Sequence, residues 1–399
     1  MKFKINFTQY SEDIHDLYIY HSVSVPHNFS GIPEYTHKDV LGEKIYMIKF
    51  NSGYVIETFM ILPPIQLHEP LGLNSEFKSL FFNDNEVKFL FSTTNEWHIS
   101  VTWDISYGEM NMNDEKACHV KNHTHHTLFC NWPPQNMNPS KNGTVYIHNG
   151  YWLDQFQHSL DHGIPSMSTA MISNDIDPKT TTLMTTSCNK YMDMIISKVG
   201  FSYSENCKNS SEKVSAKRLI VVAVMRSTHT LFYSWYYDKM KFPDMKRDKI
   251  IIFPRKRKGS KQSRNDRIVF NLVDIKKSLE DRFGQENVFQ IDNGCQNLSF
   301  CLDLLPKTKY IIGPHGGALY NAFFAGKDVN IIELLPIRKN GQYPAANNKY
   351  WAPNSVITFA QMASQKIYRY YTFSNEINYL MNVTDFLNWF YNSTNNNNI

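Results

Sequence analysis

The chain predicts an α/β protein built on a parallel, doubly wound sheet, with a β-rich region ahead of it. Three observations carry that expectation. From residue 216 onward, short apolar runs alternate with helical stretches, the pattern of βα units feeding a parallel sheet. The segment from Tyr310 to Leu335 reads strand, glycine turn, helix and strand without interruption. Residues 1–148, by contrast, are rich in aromatic and β-branched residues and lack helical periodicity. A chain of 399 residues with 42% hydrophobic residues has room for two or three domains with proper cores.

The elements follow in order. Tyr46 to Leu62 and Val87 to Ile105 read as strands with turns at Asn51-Ser52-Gly53 and Thr94-Asn95, and Gly143 to Ile147 is a further strand. Proline pairs at 63–64 and 133–134 punctuate this region. His119, His123, His125 and His126 invite a metal, but no carboxylate or thiol completes a ligand set at helical spacing. They read as a solvated hairpin. Asp154 to His162 has helical content, Met192 to Val199 is a helix, and Arg218 to Met225 is an apolar strand. Lys249 to Phe253 is a strand, and Asn271 to Phe283 is an amphipathic helix stopped by Gly284. Asn287 to Ile291 is a strand, and Leu298 to Leu305 is a short helix before Pro306. Tyr310-Ile311-Ile312 is a strand, Ala318 to Ala325 a helix ended by Gly326, and Val329 to Leu335 a strand. Asn395 to Asn398 is a polar tail.

The net charge of +4 is small for this length and does not itself imply nucleic acid. The charge is uneven, because Lys and Arg crowd the stretch from Lys246 to Arg267. Such a run is a solvated loop, an anion site or a nucleic-acid patch. Cys118, Cys130, Cys188, Cys207, Cys295 and Cys301 contain no C-x-x-C pair, which argues against a zinc ribbon. Their spacing permits Cys118–Cys130, Cys188–Cys207 and Cys295–Cys301 bridges, while other pairings and free thiols stay open. N-x-S/T sequons begin at Asn6, Asn28, Asn122, Asn142, Asn209, Asn297, Asn382 and Asn392. Together with the even cysteine count they favour the lumen of the secretory pathway. No apolar stretch is long enough for a transmembrane span, and Met1 to Asn6 is not followed by a signal-length apolar run. The expectation is a lumenal protein whose natural leader or anchor lies outside this sequence.

The chemistry gathers at one sheet edge. His315, Gly316 and Gly317 follow a strand directly and precede a helix. A glycine turn there exposes backbone N–H groups at the positive helix end, which favours an anion such as a diphosphate. An ordinary βαβ turn has the same look. The basic loop also follows a strand, so in a parallel sheet Arg255 and Arg267 reach the same edge, where arginine forks match phosphate oxygens. Glu333 in the next strand suits ribose hydroxyls. Neither G-x-G-x-x-G nor a Walker A sequence is present, which argues against dehydrogenase and kinase.

His315-Gly316-Gly317-Ala318-Leu319-Tyr320-Asn321, with Phe324 and Glu333, resembles the H-G-A-G-L-x-N…F…E signature of glycosyltransferase family 61. Arg255 and Arg267-Ile268-Val269-Phe270-Asn271 are similar to the family's arginine loop and R-x-x-x-N. Phe156-Gln157-His158-Ser159-Leu160-Asp161 and Pro165 match in part its F-x-H-F-x-D block before a proline. The resemblance covers residues 150 to 340. It departs in the order Gly316-Gly317-Ala318, in Ser159 where the family has an aromatic, and in lacking the usual type II Golgi anchor.

The resemblance implies a GT-B-like fold, two Rossmann-like halves facing a cleft. It implies an inverting glycosyltransferase moving GlcNAc or a pentose from a UDP-sugar to a glycan or glycoprotein hydroxyl. The expected organisation is a β-rich region 1–148, an acceptor-side half 149–215 and a donor half 216–340. A segment 341–394 is expected to return to the N-terminal half, ahead of a disordered tail 395–399. The expected donor-binding set is Arg255, Arg267, Asn271, His315, Gly316, Gly317, Ala318, Asn321 and Glu333.

Inverting transfer needs a base for the acceptor hydroxyl and positive charge for the leaving diphosphate. His158 and Asp161, three apart on one helical face, are the expected catalytic residues. The arginines and turn backbone can hold the diphosphate without metal, so no cofactor is expected beyond the UDP-sugar co-substrate. Asp175-Ile176-Asp177 has the form of a metal-holding D-x-D, but Pro178 follows and no apolar strand precedes it, so it reads as a surface turn. The contrasting readings are a nucleic-acid-binding protein using residues 246–267, and an inactive relative that keeps the fold. The first lacks aromatics between Pro254 and Ile268 to stack bases, so no nucleic-acid partner is expected.

Overall fold

The computed structural model describes residues 2–5, 17–20, 34–51, 53, 55–63, 98–111, 141–148, 156–185, 189–201, 213–222, 229–241, 245–255, 268–292, 295, 298–314, 316–325, 329–337, 367–374 and 380–395. The protein is mixed α/β. It divides into two compact units, Met1–Pro63 with His98–Ser227 and Pro64–Trp97 with Thr228–Ile399.

The first unit holds an antiparallel pair, β1 (Lys2–Ile5) and β2 (Leu17–Tyr20), and a seven-stranded mixed sheet. In chain order the sheet strands are β3 (Glu34–Val40), β4 (Glu43–Asn51), β5 (Val55–Leu62), β6 (His98–Asn111), β7 (Lys141–His148), β8 (Thr181–Thr185) and β9 (Lys213–Val222). In space they run β3-β4-β5-β6-β9-β7-β8. The first four form an antiparallel meander, β9 adds antiparallel to β6, and β9, β7 and β8 are parallel.

Helix α1 (Ile164–Asn174) covers this sheet, tied by Ser100 Oγ to Thr169 Oγ1 at 2.9 Å. Two cations secure its C-terminal end, where carbonyls lack helical partners. Arg218 donates to Asn174 O at 3.1 Å, and Lys38 donates to Ile172 O at 2.9 Å. The Arg218 fork also binds Asp104, which raises the guanidinium pKa. Asp175 pairs with Lys38, and Asp177 Oδ1 accepts the Lys179 N–H, so the acidic triplet forms the turn expected from Pro178. Helix α2 (Lys190–Lys198) starts on Asn189, whose side chain accepts from the N–H groups of Tyr191 and Met192.

At the end of β7 the buried Tyr146 hydroxyl and His148 Nδ1 share a 2.8 Å hydrogen bond. Burial lowers the His148 pKa to about 4 and raises that of Tyr146. His148 Nε2 has no hydrogen-bond partner among the described residues, so nothing compensates a charged ring. Between pH 6.5 and about 4 the unfolded chain binds the proton and the folded one does not. Stability therefore falls as pH drops through that window and levels off below it. Denaturant unfolding at stepped pH checks this, with the dependence weakened in His148→Gln.

Among the described residues the second unit holds five strands, β10 (Lys249–Ile252), β11 (Val288–Gln290), β12 (Thr308–Pro314), β13 (Asn330–Ile337) and β14 (Ile367–Ser374). All are parallel, in the order β11-β10-β12-β13-β14. Its helices are α3 (Thr230–Met240), α4 (Leu272–Phe283), α5 (Leu298–Leu304) and α6 (Val383–Asn395). A core of Ile250, Ile252, Leu272, Ile275, Tyr310, Ile312, Ile332, Phe386 and Phe390 joins α4 and α6 to one sheet face. Cys295 and Cys301, one of the pairs the spacing permits, are joined by a disulfide. Among the described residues no helix is long and apolar enough to cross a membrane.

Three expectations change. The β-rich region and residues 149–215 are one unit, because β9 pairs with both β6 and β7. The first unit is accordingly a mixed sheet with a parallel portion rather than a Rossmann-like half of its own. The described part of the C-terminal segment, residues 367–374 and 380–395, belongs to the second unit rather than returning to the N-terminal half. Its strand β14 extends the second sheet, and Phe386 and Phe390, one helical turn apart, bury against that unit's core.

Candidate active site

Numbered in chain order, the strands of the second sheet run 2-1-3-4-5, so the winding reverses between β10 and β12. In open parallel sheets the ligand crevice opens at the carboxyl ends of the two strands where this happens. Beyond β10 the chain continues through Phe253, whose N–H donates to Ile312 O at 2.9 Å, to Pro254 and Arg255. Beyond β12 it reaches Gly316 two residues after Pro314. A Cβ added at Gly316 would fall on Nη1 of Arg255, so the guanidinium lies against the bare glycine backbone. A Cβ at Gly313 would stand 2.8 Å from Phe253 O. Both glycines serve close approach between the β10 and β12 ends.

The helix expected after this turn is a 3-10 helix, Gly317–Phe324. Its first turn closes when Leu319 N–H donates to Gly316 O at 3.1 Å, with the N–H groups of Gly317 and Ala318 ahead of it. Helix α3 supports it: Tyr233, Tyr236 and Tyr237 surround Phe323, and the Tyr237 hydroxyl donates to Ala325 O. Asn321 is buried, donates to Ala318 O at 2.8 Å, and has Oδ1 without a partner among the described residues. Glu333 pairs in register with Gly313, beside the turn, and is fully buried. Arg255, Gly316, Gly317, Ala318, Asn321 and Glu333 thus belong to one edge of one sheet. Arg267 and His315 lie outside the described residues.

Asn271 has a different duty. Its Nδ2 donates to Met381 O at 2.7 Å and its Oδ1 accepts the Met381 N–H at 2.9 Å. Both amide ends clamp the approach to α6, which gives the side chain a structural duty. Asn271→Ala leaves two backbone groups unpartnered and is expected to cost about 2 kcal/mol. Chemical denaturation measures this, with UDP affinity unchanged.

In the first unit the expected helix around His158 is a single α-turn, Phe156–His158, followed by a π-helical turn, Ser159–Gly163, that leads into α1. π-turns inside helices occur often at functional sites. Phe156 packs on Tyr191 of α2, which seats the turn. His158 Nδ1 is 3.1 Å from Asp161 Oδ1, and Gln157 Nε2 donates to Asp161 Oδ2 at 3.4 Å. The Asp161 side chain is 5% exposed and that of His158 16%. The carboxylate is the buried partner and the imidazole the outward one. His162, absent from the expected set, brings Nε2 to 3.6 Å from Asp161 Oδ1. Two histidines four apart around an acid were the available signal.

The family model described as Glycosyltransferase 61 matches residues 156–332, a span that begins at this turn and ends in β13. No curated protein matches the chain.

Proposed function

The chain belongs to glycosyltransferase family 61 and is a glycosyltransferase, and from that premise we propose that it is an inverting enzyme using a UDP-sugar donor. The donor diphosphate binds at the β10–β12 edge of the second unit. The observation that carries this is the Arg255 guanidinium lying on Gly316, a cation at a glycine turn next to a strand-order reversal. Such an arrangement neutralises charge that grows on the leaving diphosphate.

The acceptor side is assigned, in the same proposal, to the first unit, where His158 and Asp161 lie. In this proposal Asp161 accepts the His158 Nδ1–H and Nε2 acts as the base. The acceptor oxygen attacks the anomeric carbon, its proton passes to Nε2, and the bond from that carbon to the diphosphate oxygen breaks with inversion. The acceptor is a glycan or glycoprotein hydroxyl, and the setting is the secretory lumen. The sequons and the Cys295–Cys301 bridge support that setting.

A panel of UDP-sugars tested for thermal stabilisation and donor hydrolysis decides the donor. One sugar raising Tm above UDP alone is the expected outcome, and no shift with any UDP compound removes the donor assignment. Activity is expected to survive EDTA, because Arg255 and the turn N–H groups supply the positive charge. Loss on chelation with rescue by manganese defeats the metal-free scheme.

A further inference from the structure

The π-helical turn brings together more than a base and its orienting acid. His158, Asp161 and His162 each offer a ligand atom, and these atoms lie within 4.8 Å of one another. Asp161 Oδ1 is 3.1 Å from His158 Nδ1 and 3.6 Å from His162 Nε2. Two donors bound at about 2.1 Å to a tetrahedral zinc ion stand roughly 3.4 Å apart, between these two separations. Gln157 holds the other Asp161 oxygen, the kind of outer contact that orients a metal-binding carboxylate. The side chains of His158, Asp161 and His162 are 16%, 5% and 13% exposed, so the cluster is largely buried yet keeps some contact with solvent, from which a fourth ligand can come.

We propose that His158 Nδ1, Asp161 Oδ1 and His162 Nε2 form a Zn2+ site that switches the transferase off. Two imidazoles and a carboxylate suit this borderline-soft ion. Zinc takes the Nδ1 lone pair of His158 after the Nδ1 proton leaves, and solvent returns a proton to Nε2. The ring stays neutral, but its outward nitrogen now carries hydrogen and cannot accept the acceptor proton. The switching half rests on the assignment of His158 as base, and the metal site stands without it.

Zinc binding to the full chain is measured by competition with a chromophoric chelator, and turnover by UDP release. One tight zinc per chain is expected, with turnover falling as the site fills and returning on chelation. His162→Gln is read against its own metal-free turnover, because His162 touches Asp161. It weakens zinc binding and shifts inhibition by the same factor, about tenfold or more. Equal zinc affinity in the wild type and His162→Gln overturns the site. Site-specific binding without inhibition overturns the switch and, with it, His158 as base. Should the variant not fold, Co2+ added to the wild-type chain gives the strong visible absorption of a four-coordinate ion, and a six-coordinate spectrum overturns the site. Neither binding readout needs a working enzyme, so a failed donor assignment stays distinguishable.

Discussion

His158→Ala is expected to lower kcat by about 10²–10⁴-fold, the range in which a positioned base contributes to proton transfer. KM for the donor should be unchanged, because a base takes the acceptor's proton and does not hold the donor diphosphate. The division of roles within the dyad is testable in the same series. Asp161 is the more buried of the pair and receives three neighbours, Gln157, His158 and His162. Asp161→Asn preserves volume, but an amide N–H turned toward Nδ1 favours the tautomer that protonates Nε2. Its expected loss is therefore in kcat and smaller than that of His158→Ala. Were Asp161 itself the base, the order would reverse and His158→Ala would be the milder change. Steady-state kinetics at saturating donor read the order directly. Full kcat in His158→Ala removes the imidazole from the mechanism.

The second sheet was legible because parallel strands buried on both faces read as short apolar runs: Lys249 to Phe253 and Val329 to Leu335 come within a residue or two of β10 and β13. Placing the strands that precede Arg255 and Gly316 in one parallel sheet is enough to infer that both residues lie at its carboxyl edge. The first unit resisted for the opposite reason. Its sheet closes by pairing β6 with β9, and Asp104 meets Arg218 across 114 positions. No local pattern encodes a pairing at that separation. β14 was missed because its aromatic run, Tyr368 to Phe373, has no apolar periodicity of its own and gains its partner only through register with β13. α6 was missed because polar residues interleave the Phe386 and Phe390 that anchor it. At the dyad, the three-residue spacing found Asp161 but not His162. A π-turn advances less per residue than an α-turn, so neighbours Asp161 and His162 diverge less than α-geometry leads one to expect.

Arg255→Ala should cut kcat/KM by about 10²–10³-fold, the cost of removing one fixed donor from a developing charge. The structure predicts how neighbouring substitutions divide that loss. Arg255→Lys keeps the charge but not the fork, and an ammonium meets a diphosphate as a point charge, so partial recovery is expected. Gly316→Ala leaves Arg255 in the sequence yet places a methyl where its Nη1 lies, so it should reproduce much of the arginine loss. Gly316 has extended backbone, φ 161°, ψ 171°, which alanine adopts without strain. A Gly316→Ala defect must then come from displacing the guanidinium rather than from the turn. In the double variant, Arg255→Ala with Gly316→Ala, the methyl has nothing left to displace, and the two losses should fail to add. Calorimetric titration with UDP measures all four proteins. Unchanged UDP affinity in Arg255→Ala ends the donor-site assignment. Additive losses would mean that glycine and arginine act separately and that their contact has no part in holding the diphosphate.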